Sequence, residues 1–141
     1  MELRDYQKEI VRLGVNVLKE HKFVYLAMEV RTGKTLTSLS ICKTLAVSDV
    51  LFITKKKAIS SIQDDYNLLN PDFNITIINY ESLHKIDSAP YCVIICDEAH
   101  GMGAYPKPSK RAKDVKSLIQ INNNPYVILL SGTPTPESYS Q

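Results

Sequence analysis

The chain has 141 residues, 44% of them hydrophobic and 23% charged, with a formal net charge of +2. That is enough for one domain with a real hydrophobic core, and the balance excludes a disordered or low-complexity chain. The charge is too small to argue for a nucleic-acid partner by itself, no apolar run is long enough to span a membrane, and Met1-Glu2-Leu3-Arg4-Asp5 is no signal peptide, so the expectation is a cytoplasmic protein.

In chain order, Asp5 to Glu20 carries Ile10, Leu13, Val17 and Leu18 at helical spacing, with Asp5 as the expected N-cap. Phe23–Ala27 is an apolar run that reads as a strand. It leads into Met28-Glu29-Val30-Arg31-Thr32-Gly33-Lys34-Thr35, and a helix is expected over Leu36 to Ala46. Val50–Ile53 is a short β-rich run, followed by a helical pattern through Ile59, Ile62, Tyr66 and Leu69 that Asn70-Pro71-Asp72 breaks. Ile75–Ile78 reads as a strand and Glu81–Lys85 as a helical turn. Tyr91 to Cys96 is continuously apolar, the pattern of a strand covered on both faces. A polar, proline-bearing loop follows from Gly101, then a helix from about Lys110 to Ile121, then a last buried strand, Tyr126–Leu130.

Strands alternating with helices predict an α/β domain, a mostly parallel central sheet with helices on both faces. In such sheets ligands bind beyond the carboxyl ends of the strands. Three polar clusters follow strands directly: Thr32–Thr35, Asp97–His100 and Ser131–Thr133. They are expected to converge on one edge.

A strand, a tight loop and Gly33-Lys34-Thr35 opening a helix is the arrangement that holds nucleotide phosphates. Backbone N–H groups at the helix start face the anion, Lys34 adds a positive charge and the Thr35 hydroxyl reaches Mg²⁺. Asp97, at the end of a buried strand, suits Mg²⁺ through its water shell, and Glu98 suits polarisation of an attacking water. Alone, Asp97 and Glu98 read as exposed loop carboxylates; beside a phosphate loop on the same sheet they read as a nucleotide site. His100 is expected beside the hydroxyl-rich turn Ser131-Gly132-Thr133, where hydrogen bonds can report nucleotide state. Cys42, Cys92 and Cys96 lack metal-site spacing and read as packing residues in a reducing compartment.

Two basic clusters stand out. Lys55-Lys56-Lys57 begins a helix, where cations oppose the helix dipole unless an anion is present. Lys107, Lys110, Arg111 and Lys113 form the second. Each fits either a solvated charged face or a nucleic-acid backbone. Neither offers a means of reading base edges, so any binding is phosphate-led and weakly sequence-specific.

Lys34-Thr35, Asp97-Glu98-Ala99-His100 and Ser131-Gly132-Thr133-Pro134, in that order, resemble motifs I, II and III of superfamily-two helicases and translocases. The Swi/Snf-like branch is closer still. Leu3-Arg4-Asp5-Tyr6-Gln7 resembles its glutamine motif, Val50 to Lys55 its motif Ia, Asn79-Tyr80-Glu81-Ser82-Leu83 its Thr-Tyr-Glu segment, and Asp97 through Lys113 its box-and-basic-loop stretch. The resemblance covers nearly the whole chain and implies the first RecA-like, P-loop NTPase domain of a DEAH-box motor over residues 1–141, with ATP and Mg²⁺ as cofactors.

Carried over residue by residue, the resemblance implies Gln7 for adenine and Lys34 for the β- and γ-phosphates. It also implies Thr35 and Asp97 for Mg²⁺, Glu98 for the attacking water, and Ser131 and Thr133 for coupling ATP state to movement. The phosphate-loop neighbours Arg31, Thr32, Gly33 and Leu36 complete the expected nucleotide contacts. In the family the region of Lys55 and Lys56 touches nucleic acid; Lys110 and Arg111 are the other expected contacts, and DNA fits better than RNA. Met28 stands where the phosphate-loop pattern has glycine, which implies a locally different loop. Arg31 replaces a small residue and suits either a local salt bridge or an approach to the nucleotide or a partner.

The family's motor also needs a second RecA-like domain, in cis or in trans, which this sequence does not contain. That domain supplies an arginine finger worth roughly 10³–10⁵ in rate in related NTPases. The chain is therefore expected to bind ATP better than it hydrolyses it. A stand-alone ATP- and nucleic-acid-binding module acting through a partner chain is the alternative. A small-acceptor kinase is a third reading, which the Asp-Glu-Ala-His box opposes.

Overall fold

The computed structural model describes residues 4–27, 33–86, 91–97, 117, 119 and 125–131. The described elements are α1 (Asp5–His21), β1 (Phe23–Ala27), α2 (Lys34–Leu45), β2 (Asp49–Thr54), α3 (Ile59–Leu69), β3 (Asn74–Asn79), β4 (Val93–Cys96) and β5 (Tyr126–Ser131). Short 3₁₀ segments, Lys56–Ala58 and Tyr80–Lys85, follow β2 and β3. The α/β expectation is met. The helix expected from Lys110 to Ile121 lies mostly outside the described residues, although Ser117 and Ile119 are helical.

The five strands form one sheet in the order β1-β5-β4-β2-β3, and every described pairing is parallel. All carboxyl ends therefore lie on one edge. β4 is buried at every position, as its unbroken apolar run predicts, but it begins at Val93 and not at Tyr91. Strand β5 stands between β1, which leads to the phosphate loop, and β4, which leads to Asp97.

The first sheet face carries the larger core. Val24, Leu26, Val50, Phe52, Val93, Ile95, Ile128 and Leu130 meet Val11, Val15 and Leu18 of α1, Leu39 and Ile41 of α2, and Ile62 of α3. All three described α-helices thus pack on this face, with α2 between α1 and α3. On the opposite face Leu51, Ile53, Ile94 and Cys96 pack with Tyr80 and Leu83 of the second 3₁₀ segment and with helical Ile119. Burial of these side chains contributes roughly 1.5–3 kcal/mol each.

Local details differ from expectation for physical reasons. Arg4, not Asp5, is the N-cap of α1: the Arg4 backbone N–H donates to Gln7 Oε1 at 2.9 Å, so Gln7 closes the first turn from inside. Asp5 sits one residue later, where its charge favours the helix dipole. Gly14 lets α1 approach α2, since a Cβ there would lie 2.7 Å from Ile41 Cδ1. Helix α2 begins at Lys34, two residues before the expected start, which places Lys34 and Thr35 in its first turn. Among the described residues no helix is long and apolar enough to cross a membrane.

All three cysteines are free, but they are not equivalent. Burial raises the Cys42 thiol far above its ordinary value and pushes Cys96 up to about 12. Cys92 precedes β4, is partly exposed, and lies 3.5 Å from Ser48 Oγ; that hydrogen bond, above all, lowers its thiol pKa. Since the thiolate is the nucleophile, iodoacetamide at about pH 8 is expected to label Cys92 alone in the native protein. Cys42 and Cys96 should react only in denaturant, as peptide mapping after labelling would show.

Candidate nucleotide site

The sheet edge brings the expected residues together through ordinary backbone geometry. Gly33 adopts φ +75°, the left-handed conformation that glycine tolerates, and then caps α2. Its lack of a side chain matters twice, because a Cβ there would also collide with Gln7 Nε2. Gln7 is buried against the loop glycine while its Oε1 accepts from the Arg4 N–H, so α1 and the phosphate loop share one side chain.

Lys34 follows. Its Nζ lies 2.9 Å from Asp97 Oδ1, with side-chain exposures of 10% and 5%. Few lysines are so enclosed unless paired. The carboxylate's other oxygen, Oδ2, accepts from Thr54 Oγ1 at 2.8 Å. The Asp97 backbone is fixed as well: its N–H donates to the Ile53 carbonyl at 2.8 Å, and its carbonyl accepts from Tyr80 OH at 2.6 Å. Removing either member of a buried pair of this kind costs about 3–5 kcal/mol, because the survivor is left as an uncompensated charge.

A cavity of about 240 Å³ opens beside the pair, lined by Gly33, Lys34, Thr35, Lys55, Ala58, Ser61, Ile62, Asp65 and Asp97. Pockets for whole drug-sized ligands run to roughly 300–1,000 Å³, so this volume suits the phosphate end of a nucleotide. Leu36 is half-buried one residue further along α2. Ser131 closes β5 opposite Ala27 in the register, fully buried, and its Oγ has no hydrogen-bond partner among the described residues.

Thus Gln7, Gly33, Lys34, Thr35 and Asp97 are gathered, and Ser131 sits on the strand between the two halves. Lys55 and Lys56, expected at a nucleic-acid backbone, follow β2 on the same edge, and Lys55 also lines the cavity. Arg31, Thr32, Glu98, His100, Lys110, Arg111 and Thr133 lie outside the described residues. Sequence reasoning missed Thr54, Tyr80, Ser61 and Asp65 as site residues. Thr54 carried a signal, a polar residue ending a wholly apolar strand; the rest act through tertiary placement.

A five-stranded parallel sheet, a left-handed glycine opening a helix beyond one strand and a paired Asp at the end of another define a RecA-like α/β domain. Its likeness to solved structures has the same character. The Sulfolobus solfataricus SWI2/SNF2 ATPase core in complex with dsDNA matches with TM-score 0.71 and 18% identity, covering 95% of this chain and 32% of that one. A nuclease-deletion mutant of the type ISP restriction-modification enzyme LlaGI, in complex with a DNA substrate mimic, matches with TM-score 0.69 and 20% identity, covering 95% and 18%. The Escherichia coli DEAH/RHA helicase HrpB matches with TM-score 0.67 and 13% identity, covering 92% and 20%. This chain spans a third or less of each. No curated protein matches it.

The family model for the type III restriction enzyme res subunit matches residues 1–136. The chain belongs to that family.

Two substitutions test the geometry. Thr54→Val keeps the shape but removes the donor to Asp97 Oδ2, and is expected to cost about 1–3 kcal/mol in denaturant unfolding. Gly33→Ala meets both the left-handed φ, worth about 1–2 kcal/mol, and Gln7. Adding Gln7→Ala should recover the steric part of that loss and leave the conformational part, a non-additivity that a double-mutant cycle measures.

Proposed function

We propose that this domain binds Mg-ATP at the Lys34–Asp97 edge and serves as the first RecA-like half of a cytoplasmic DNA-dependent helicase or translocase. The observation that carries the reading is the enclosed contact between Lys34 Nζ and Asp97 Oδ1. It ties the first turn of α2 to the end of β4, where phosphate and metal chemistry meet.

The side chains present fit magnesium. Mg²⁺ keeps several waters and takes one or two carboxylates plus substrate phosphates, so it needs no all-protein cage. Asp97 and the Thr35 hydroxyl would hold the ion and its waters. When bound, the ion would neutralise charge on the terminal phosphates.

Lys34 provides the phosphate cation, and the N–H groups of the first α2 turn face the anion. Gln7, packed on Gly33, lies where adenine recognition can be transmitted to the loop. Thr54 and Tyr80 keep Asp97 from turning away. Glu98 is assigned the attacking water, His100, Ser131 and Thr133 the coupling of ATP state to movement, and Arg31, Thr32 and Leu36 the remaining loop contacts. Lys55, Lys56, Lys110 and Arg111 are assigned to the nucleic-acid backbone, and DNA is preferred through the family resemblance. The opposing wall and its arginine finger belong to a second RecA-like domain.

Mg-ATP binding by calorimetry is the direct test. Lys34→Ala should abolish it, but that change also strands Asp97 in the interior. Lys34→Ala with Asp97→Asn removes both charges together and should fold while still failing to bind. Retained Mg-ATP affinity in the double variant would overturn the phosphate-loop assignment. Residues 1–141 alone are expected to hydrolyse ATP slowly, and DNA-stimulated turnover at motor-like rates would contradict the need for a second domain.

A further inference from the structure

The cavity beside Lys34 has a wall that the nucleotide motifs do not account for. Strand β2 ends at Thr54, whose hydroxyl holds Asp97. The next residue, Lys55, is extended, and its carbonyl accepts from the Ala58 N–H at 3.0 Å, turning the chain at once into α3. Ala58, Ser61, Ile62 and Asp65 then follow at intervals of three, one and three, a single helical face, and all four line the cavity with Lys55. Beside the core residue Ile62, this face presents Ala58, Ser61 and Asp65 to the cavity.

Two charged groups, Lys55 and Asp65, therefore line the pocket together with Gly33, Lys34 and Thr35. Neither Lys55 nor Asp65 has an ion-pair partner among the described residues. Asp65 is half-buried, and desolvation, with Asp64 as the lesser cause, raises its carboxyl pKa. Lys34, by contrast, is already paired with Asp97. Among the described residues that line the cavity, Lys55 is thus the cation that is not committed to a carboxylate, and Asp97, which also lines it, marks the metal and terminal-phosphate end.

We propose that Lys55 and Asp65 form an electrostatic wall of the nucleotide pocket, Lys55 attracting the terminal phosphate and Asp65 opposing it. This rests on the ATP-site reading above and gives Lys55 a nucleotide role besides the nucleic-acid contact. The two residues make the pocket sensitive to the charge of the nucleotide's far end, and so to the difference between a triphosphate and a diphosphate. Because Lys55 opens the segment expected to meet nucleic acid, one side chain then faces both anions.

The test measures Mg-ATP and Mg-ADP affinities of the chain by calorimetry, without nucleic acid. Both side chains are at least partly exposed, so Lys55→Gln and Asp65→Asn should fold, which thermal unfolding verifies. Lys55→Gln is expected to weaken Mg-ATP binding about two- to fivefold, the range of partly exposed charge pairs, and to affect Mg-ADP less. Asp65→Asn should strengthen Mg-ATP binding by a similar factor. Opposite signs are the signature. Unchanged Mg-ATP affinity in both variants would overturn the wall, as would a Lys55→Gln effect seen only in DNA affinity and its salt dependence. If Lys34 is required for Mg-ATP while Lys55 and Asp65 are neutral, only this inference falls; if the unaltered chain binds no Mg-ATP, the site reading falls with it.

Discussion

The enclosed Lys34–Asp97 pair is the constraint on which the rest of this edge depends. Lys34 and Asp97 are 63 residues apart in sequence and follow strands that are not neighbours, since β5 lies between β1 and β4. They meet because every described strand is parallel, which puts all carboxyl ends on one side, and because α2 lies between α1 and α3 on the sheet face. The pair exacts a desolvation cost that a single hydrogen bond could not offset. Thr54 and Tyr80 are what make it tolerable: one satisfies the second carboxylate oxygen, the other fixes the backbone carbonyl. The site is accordingly rigid on its Asp97 side.

Helix α2 shows how the site shapes the core. It buries Thr37, Ser38 and Ser40 beside Leu39, Ile41 and Cys42, so polar and apolar residues are enclosed together and no apolar stripe stands out. A helix covered on several sides by α1, α3 and the sheet gains nothing from an amphipathic pattern. Small hydroxyl residues let it pack closely, and Ser38 returns its hydrogen to the Thr35 carbonyl at 2.8 Å. Periodicity could not have located this helix. The phosphate-loop pattern before it could.

The legible parts of the sequence were those whose physics is local. Phe23–Ala27 was readable to the residue, and β2, β3 and β5 within a residue at each end, because apolar runs bounded by polar residues leave little freedom. Asp5 was misplaced as a cap because capping depends on which backbone N–H turns outward, and Gln7 reaching back to Arg4 settled that. Convergence of Lys34 and Asp97 followed from parallel topology. The roles of Thr54 and Tyr80 did not, since they arise from β2 and the 3₁₀ segment lying beside β4. The expectation of helices on both faces is also met among the described residues: α1, α2 and α3 cover one face, and helical Ile119 packs on the other.

The pairing also constrains how an anion can enter. With Lys34 held by Asp97, a phosphate arriving alone must compete with a carboxylate for the same ammonium group. A cation arriving with it would change the balance, because Asp97 could exchange one positive partner for another and leave Lys34 for the phosphate. Neither buried charge is left uncompensated along that route. On the proposed Mg-ATP reading, the geometry therefore favours joint entry of nucleotide and metal over nucleotide alone. It explains physically why a lysine and an aspartate suited to different parts of a ligand are placed within 2.9 Å of each other. Each serves as the other's counterion, and on that reading the ligand would supply replacements for both.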